Sequence, residues 1–340
     1  MFLKYTSYAF TVAISVAVAG PASAANYVPF VLQDVAGGGY SVARGINDSD
    51  QIVGFSGTAT GGQEPVLWST STLTLSLAGT ALQDVGGRGI SDALGINTSG
   101  QIVGYSDAAT GGQEAVLWSA SSQTGTALQN VGGGGHSVAQ GINTSGQIVG
   151  YSETSAKGGS GAVLWSSSGA GTTLQDVGGF DNSEAFGINA SGQIVGYSDT
   201  ATGGQEAVLW SSSTRTGKAL PEVGGGGNSI AFRINASGQI VGYSGQEAVL
   251  WSASTGAGIS LASFLGGDWK GTVATAINDE GDIVGWGSYK GSEATGFLLI
   301  PTVGSPASVP EPATWALMLL GFGALGLVGY RQTRRMNQAV

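Results

Sequence analysis

One histidine, no cysteine and 10% charged residues leave this 340-residue chain few groups with which to do chemistry. Without cysteine there are no disulfides, thiolate nucleophiles or Cys-ligated metals. A Ser-His-Asp triad needs an imidazole held by an acid and facing a nucleophile. The lone His136 lies in Gly135-His136-Ser137, where matching positions of a repeat hold Tyr40, Ile90, Asn182 and Asn228. It therefore reads as variation at a loop position, not as a catalyst. The glycine runs 132–135 and 224–227 lack the following Lys-Ser/Thr and the helix that a phosphate cradle requires, so they read as linkers. Arg44 and Arg233 break the repeat pattern and are the nearest candidates for a hydrolase or lyase, but channel or packing roles account for them more simply. No enzymatic activity is expected.

Carboxylates remain. Asp84, Asp107 and Glu114, with Asp176, Asp199 and Glu206 at matching places, are oxygen donors suited to weak calcium or magnesium binding, which would bridge the protein to acidic polysaccharide, or to contact with a glycan. Solubility is the plainer account, because strands leave only loops to carry charge. With 22 acidic and 12 basic residues, nucleic acid is not an expected partner. The recurring Trp could stack on a sugar ring, but it ends an apolar Val-Leu-Trp and reads as core or packing between repeats.

The elements that would position these groups come from six copies of one unit. Ile-Asn recurs at Asn47, Asn97, Asn143, Asn189, Asn235 and Asn278, each followed by Ile-Val-Gly, and Val-Leu-Trp ends at Trp68, Trp118, Trp165, Trp210 and Trp251. In the second unit the pattern predicts strand A over Ser91–Asn97, a hairpin turn at Asn97-Thr98-Ser99-Gly100, strand B over Gln101–Ser106, strand C over Glu114–Ser119 and strand D over Ala127–Val131. The Asn-x-Ser triplets in these hairpins read as turn residues, not glycosylation sites. Four antiparallel strands in about 46 residues suit a propeller blade. The expectation is an all-β, six-bladed β-propeller over residues 25–300, closed by an N-terminal strand: Tyr27–Val35, whose Leu32-Gln33-Asp34-Val35 repeats Leu82-Gln83-Asp84-Val85, would pair with strand C of the last unit. An open solenoid is the alternative. The 61 glycines follow no collagen period and fall at turns and linkers of the units.

The two ends carry address labels. Residues 1–24 combine Lys4, an apolar run and Ala22-Ser23-Ala24, a signal peptide expected to be cut after Ala24. Residues 301–312 form a linker containing Pro310-Glu311-Pro312. Residues 313–330 carry no charge and just span a membrane as a helix, and 331–340 hold Arg331, Arg334 and Arg335, a basic cytoplasmic tail. Both ends place the body outside the inner membrane.

The order Pro-Glu-Pro, short Gly-rich span, Arg cluster resembles the PEP-CTERM sorting signal. That resemblance implies a Gram-negative envelope, with an exosortase, an intramembrane Cys-type transpeptidase, cleaving near Pro310–Pro312 and passing the body to the surface or exopolysaccharide matrix. The repeated Gly-Ile-Asn-x-x-Gly-Gln-Ile-Val-Gly, with its later Leu-Trp, resembles the HAF family of extracellular repeats, although Glu114-Ala115-Val116 stands where that family has His-Ala-Phe. Together these imply an inner-membrane-anchored precursor that becomes a structural or adhesive biofilm-matrix protein. A lectin-like glycan-binding propeller is the first alternative and a propeller glycoside hydrolase or lyase the second.

Overall fold

A computed structural model describes residues 31–301, apart from 48, 50, 70–75, 78, 110, 155–157 and 292–294. The expected signal peptide, linker, membrane span and tail lie outside the described residues. Among those described, no helix is long and apolar enough to cross a membrane. Among the described residues the single helix is the short Ala262–Leu265, and the sheets are almost wholly antiparallel.

Each repeat folds into its own sheet, its strands hydrogen-bonded in chain order, A-B-C-D in the first five and A-B-C among the described residues of the sixth. Sheet 2, for example, consists of Ser91–Ile96, Gln101–Asp107, Gln113–Ser119 and Gly125–Ala127. Strands A to C match the sequence pattern, but strand D begins and ends earlier than the expected Ala127–Val131. Its Gly125 pairs with Trp118, and a β-carbon there would lie 2.5 Å from the indole Cδ1. After Leu128, whose N–H still donates to the Ala115 carbonyl, the chain leaves the sheet so that the Gln129 carbonyl can accept from Trp165 Nε1 of the next sheet, 2.8 Å away.

The glycine of Ile-Val-Gly is a second steric requirement. Strand A is irregular beside it, and a β-carbon on Gly104 would sit 2.0 Å from the Asp92 carbonyl oxygen. The same approach recurs at Gly54, Gly150, Gly196, Gly242 and Gly285. No side chain fits between these two strands.

The core lies between sheets, not within them. One face of each sheet gives a Val and a Leu, and the facing sheet receives them with Ala, Ile, Val and Trp. Thus Val53 and Leu67 of sheet 1 pack on Ala93, Ile102, Val116 and Trp118 of sheet 2, beside Leu82. This arrangement repeats along the array. The five Trp are among the most deeply buried side chains of the molecule. Removing one such aromatic from water stabilises the pairing by about 2–3 kcal/mol.

Polar bonds fix the order of the sheets. Asn143 Oδ1 accepts the N–H groups of Ser145 and Gln147, which closes its hairpin, while Nδ2 donates to Gln147 Oε1 and to the Asn189 carbonyl of the next sheet at 3.1 Å. The same onward bond runs from Asn47 to Asn97, Asn97 to Asn143, Asn189 to Asn235 and Asn235 to Asn278. A second link joins strand C to the following strand A, where Ser137, Ser183, Ser229 and Thr272 accept from the N–H of Ala115, Ala162, Ala207 and Ala248.

The expected closing strand is corrected in its described part. Val31 and Leu32 pair in parallel with Ser76 and Leu77 instead of with the sixth unit. The reason lies in the first C–D connection, which runs from Trp68 to Gly79 where the second runs only from Trp118 to Gly125. Gln33 nonetheless accepts from Trp68 Nε1, as Gln83 does from Trp118. Sheet 6 (Trp269–Ile277, Ile283–Tyr289, Thr295–Leu299) has three strands, so Thr295–Leu299 is an edge among the described residues. Among the described residues, sheets 1 and 6 share no packing like that between successive sheets.

The side chain of Asn143 is buried and makes four bonds, so Asn143→Ala is expected to lower the unfolding free energy by about 2–4 kcal/mol. Asn278→Ala, at an exposed position with no onward bond, should cost about 1 kcal/mol or less. Urea titrations of the two variants beside the parent measure the difference.

Candidate interaction surface

Antiparallel order brings the D–A and B–C connections to one end of every sheet, where the acidic loop residues gather. Asp84 is tightly held among them. Its Oδ1 accepts from Gly87 N–H and from the hydroxyls of Ser91 and Ser106, and its Oδ2 accepts from Gly89 N–H at 2.9 Å. Partial burial alone would raise its pKa, but Ser106 and the glycine amides outweigh this and hold the carboxyl below the usual range. Asp34 and Asp176 occupy the same place and are held by Ser56 and Ser198. Asn130 fills it in sheet 3, bonding Gly133 and Ser152. An uncharged Asn does the same work, so the position is a turn clamp whose oxygens are already engaged.

Asp107 and Glu114 do not face one another. Asp107 pairs with Gln113 and Ser106 with Glu114, so the two acids occupy successive rungs of the ladder and point to opposite faces. Asp199 and Glu206 are separated in the same way. Asp199 instead accepts from Asn182 Nδ2 at 2.8 Å. Among the described residues, no three His, Cys, Asp or Glu side chains converge to hold a metal ion.

His136 is explained by its neighbours. Its Nδ1 accepts from Gln113 N–H at 3.2 Å, as Asn182 Oδ1 does from Ser160 N–H and Asn228 Oδ1 from Gln205 N–H. The imidazole serves as one more acceptor joining a B–C connection to the next strand A.

Five Ile-Asn pairs, from Ile46-Asn47 to Ile234-Asn235, with Ile277 and Asp279, surround a shallow depression of about 280 Å³ at the opposite end, and the amides of those five Asn are spent on the inter-sheet bonds. Above it, Arg44 and Arg233 line a second hollow of about 190 Å³. Arg233 Nη1 donates to the Phe186 and Phe232 carbonyls. Arg44 lies 5.5 Å from the centre of the Phe55 ring, and its Nε donates to Asp92 Oδ2 at 3.1 Å.

Asp92 and Glu184 are the residues that sequence reasoning missed. They stand on strand A where other units have Val42, Val138, Ile230 and Val273, and that break in an apolar position was the available signal. Asp92 is 2% exposed, and its Oδ1 has no partner. Burial pushes its pKa up to about 6 despite the pull of Arg44. Burial also raises Glu184, assisted by Asp199 and opposed by bonds from Tyr197 and Ser160. Tyr151 is pushed up to about 12 by burial and then by Glu184 and Glu153.

An all-β chain of successive antiparallel sheets is what comparison with solved structures meets. The chain is similar to a puromycin hydrolase mutant in complex with PGG (TM-score 0.54, 12% identity, covering 76% of this chain and 43% of that one). It thus spans less than half of that protein, and the likeness concerns the fold alone. Weaker likenesses are to TolB from Acinetobacter baumannii (TM-score 0.43, 12% identity, 65% and 54% covered) and to the Dos1 propeller (TM-score 0.48, 14% identity, 76% and 67% covered). Residues 308–335 match the PEP-CTERM protein-sorting motif. No curated protein matches the chain.

The position of Asp92 has a measurable cost. Its carboxyl ionises near 3.8 when unfolded and about 6 when folded, so its stabilising protonated form is complete below the lower value and is lost as pH rises through the higher. Asp92→Asn, which keeps an acceptor for Arg44, is expected to be more stable than the parent at about pH 8, by a margin that falls by about 1–3 kcal/mol on going to about pH 4. Urea midpoints across that range test this, and a margin independent of pH would contradict it.

Proposed function

We propose that this protein is an exosortase-processed, exported component of the Gram-negative cell surface or exopolysaccharide matrix, with a structural or adhesive role and no catalytic one. The match of residues 308–335 to the PEP-CTERM motif carries the reading. In this reading the signal peptide 1–24 directs export, residues 313–330 hold the precursor in the inner membrane with its body in the periplasm, and an exosortase recognises Pro310, Glu311 and Pro312.

The body suits such a role in physical terms. Read as a six-bladed propeller, it displays its acidic loops at one end of a rigid array, in which the five Trp of Val-Leu-Trp are buried and the turn-clamp carboxylates engaged. Exopolysaccharide or other envelope components are the proposed partners of that end.

Deleting residues 310–312 is expected to leave the full-length chain in the inner-membrane fraction, whereas the parent yields a shortened body in the outer or extracellular fraction. Immunoblots of fractionated cells read both species. Identical fractionation of the two forms would reject the sorting role.

A further inference from the structure

We propose that the hollow enclosed by strand A of sheets 1 to 5 binds the carboxylate of a single sugar acid, held by the guanidinium groups of Arg44 and Arg233. Capture of an anion follows from the residues of the hollow alone. A sugar acid as that anion rests on the exopolysaccharide partner proposed above.

A strict repeat makes its exceptions visible. Where Arg44 stands, the other units carry Leu94, Gln140, Phe186, Phe232 and Thr275, and where Arg233 stands they carry Gly45, Gly95, Gly141, Gly187 and Ala276. Neither arginine takes part in the repeated Asn, Ser and Trp links that fix the order of the sheets. Both nevertheless line one hollow of about 190 Å³. Four of those glycines form its wall, so at Arg233 a side chain enters where the other units leave room.

The two cations are incompletely neutralised. Arg233 Nη1 donates to the Phe186 and Phe232 carbonyls at 3.1 and 2.9 Å, and among the described residues no carboxylate pairs with it. Its side chain is open to the hollow, yet the protein around it removes enough water to lower its pKa. A guanidinium short of water gains more from an anion than a fully hydrated one does. Arg44 donates to Asp92 through Nε, and its side chain is 46% exposed, which leaves its terminal fork of N–H groups for a second carboxylate.

The shape of the hollow limits the occupant. Ile46, Ile96, Ile142, Ile188 and Ile234 line both this hollow and the depression beneath it, so entry is from the end of the Asn turns, away from the acidic loops. Asp279 stands at that mouth, where its Oδ1 accepts from Ala236 N–H at 2.8 Å. The volume lies below the roughly 300–1,000 Å³ of sites for drug-sized ligands, which suits one sugar ring and not a chain lying along the hollow. Phe186 on the wall offers that ring an apolar face.

Calorimetric titration of the full-length chain in detergent, with EDTA present so that no divalent cation can bridge, tests the site. Sodium glucuronate is expected to bind once per chain with a dissociation constant on the order of 1 mM, and glucose not to bind. Arg233→Gly and Arg44→Gln install residues that other units carry at those places, and each should weaken glucuronate roughly 10-fold or more. Cooperative urea unfolding of both variants separates loss of the site from loss of the fold. Asp84→Asn, at the acidic end, should leave the affinity unchanged. Absence of glucuronate binding, equal binding of glucose, or an affinity unaltered in both arginine variants overturns the site. Inorganic phosphate bound more tightly than glucuronate overturns the sugar acid as occupant. None of these results bears on the fractionation of the 310–312 deletion, so the sorting reading stands or falls separately.

Discussion

The asparagine of the Ile-Asn pair is the interaction on which the rest of the structure depends. Its oxygen closes the A–B hairpin, and its amide reaches the backbone of the next sheet, so one side chain sets both the local turn and the placement of the neighbour. An acid of the same shape lacks the donor, and a longer amide would not fit the turn. Once the hairpin is fixed, strand A passes so close to strand B that only glycine fits at the end of Ile-Val-Gly. The Trp, Ser and turn-clamp bonds are then arranged on a frame whose spacing is already set.

All of these links have a direction. The Asn amide donates forwards along the chain, the strand-C N–H donates forwards to a Ser or Thr, and the Trp indole donates backwards to the carbonyl that follows the preceding strand D. Each sheet therefore has two unlike sides, and stacking like sides would leave Trp and Val faces without their complements. A fixed order of sheets follows from side-chain chemistry without any special connection.

Much of this was legible in the residues. Six units, the A, B and C strands and the buried Trp follow from Ile-Asn, Ile-Val-Gly and Val-Leu-Trp, because a strict repeat presents the same evidence several times. Strand D was misplaced because Leu-Gln-Asp-Val is apolar enough to resemble a strand, while its real task is to cross between sheets and offer a carbonyl to the next Trp. For the acids, the residues show where they lie along the chain but not what their oxygens hold. Whether Asp84 faces solvent or grips two glycine amides depends on the turn between them, and alternation along Asp107 and Glu114 separates residues that look like neighbours. Asp92 and Glu184 are charges at positions otherwise apolar, and their burial is set by packing that no local pattern records.

The backward reach of the indole also bears on how the chain folds. Trp118, Trp165 and Trp210 each bond to a carbonyl about 35 residues upstream, in segments synthesised before them. A chain emerging N-terminus first can complete each Trp contact as soon as the residue appears, without waiting for distant sequence. Contacts of this range keep the contact order low for an all-β protein, and they let order grow from one end as in other repeat arrays.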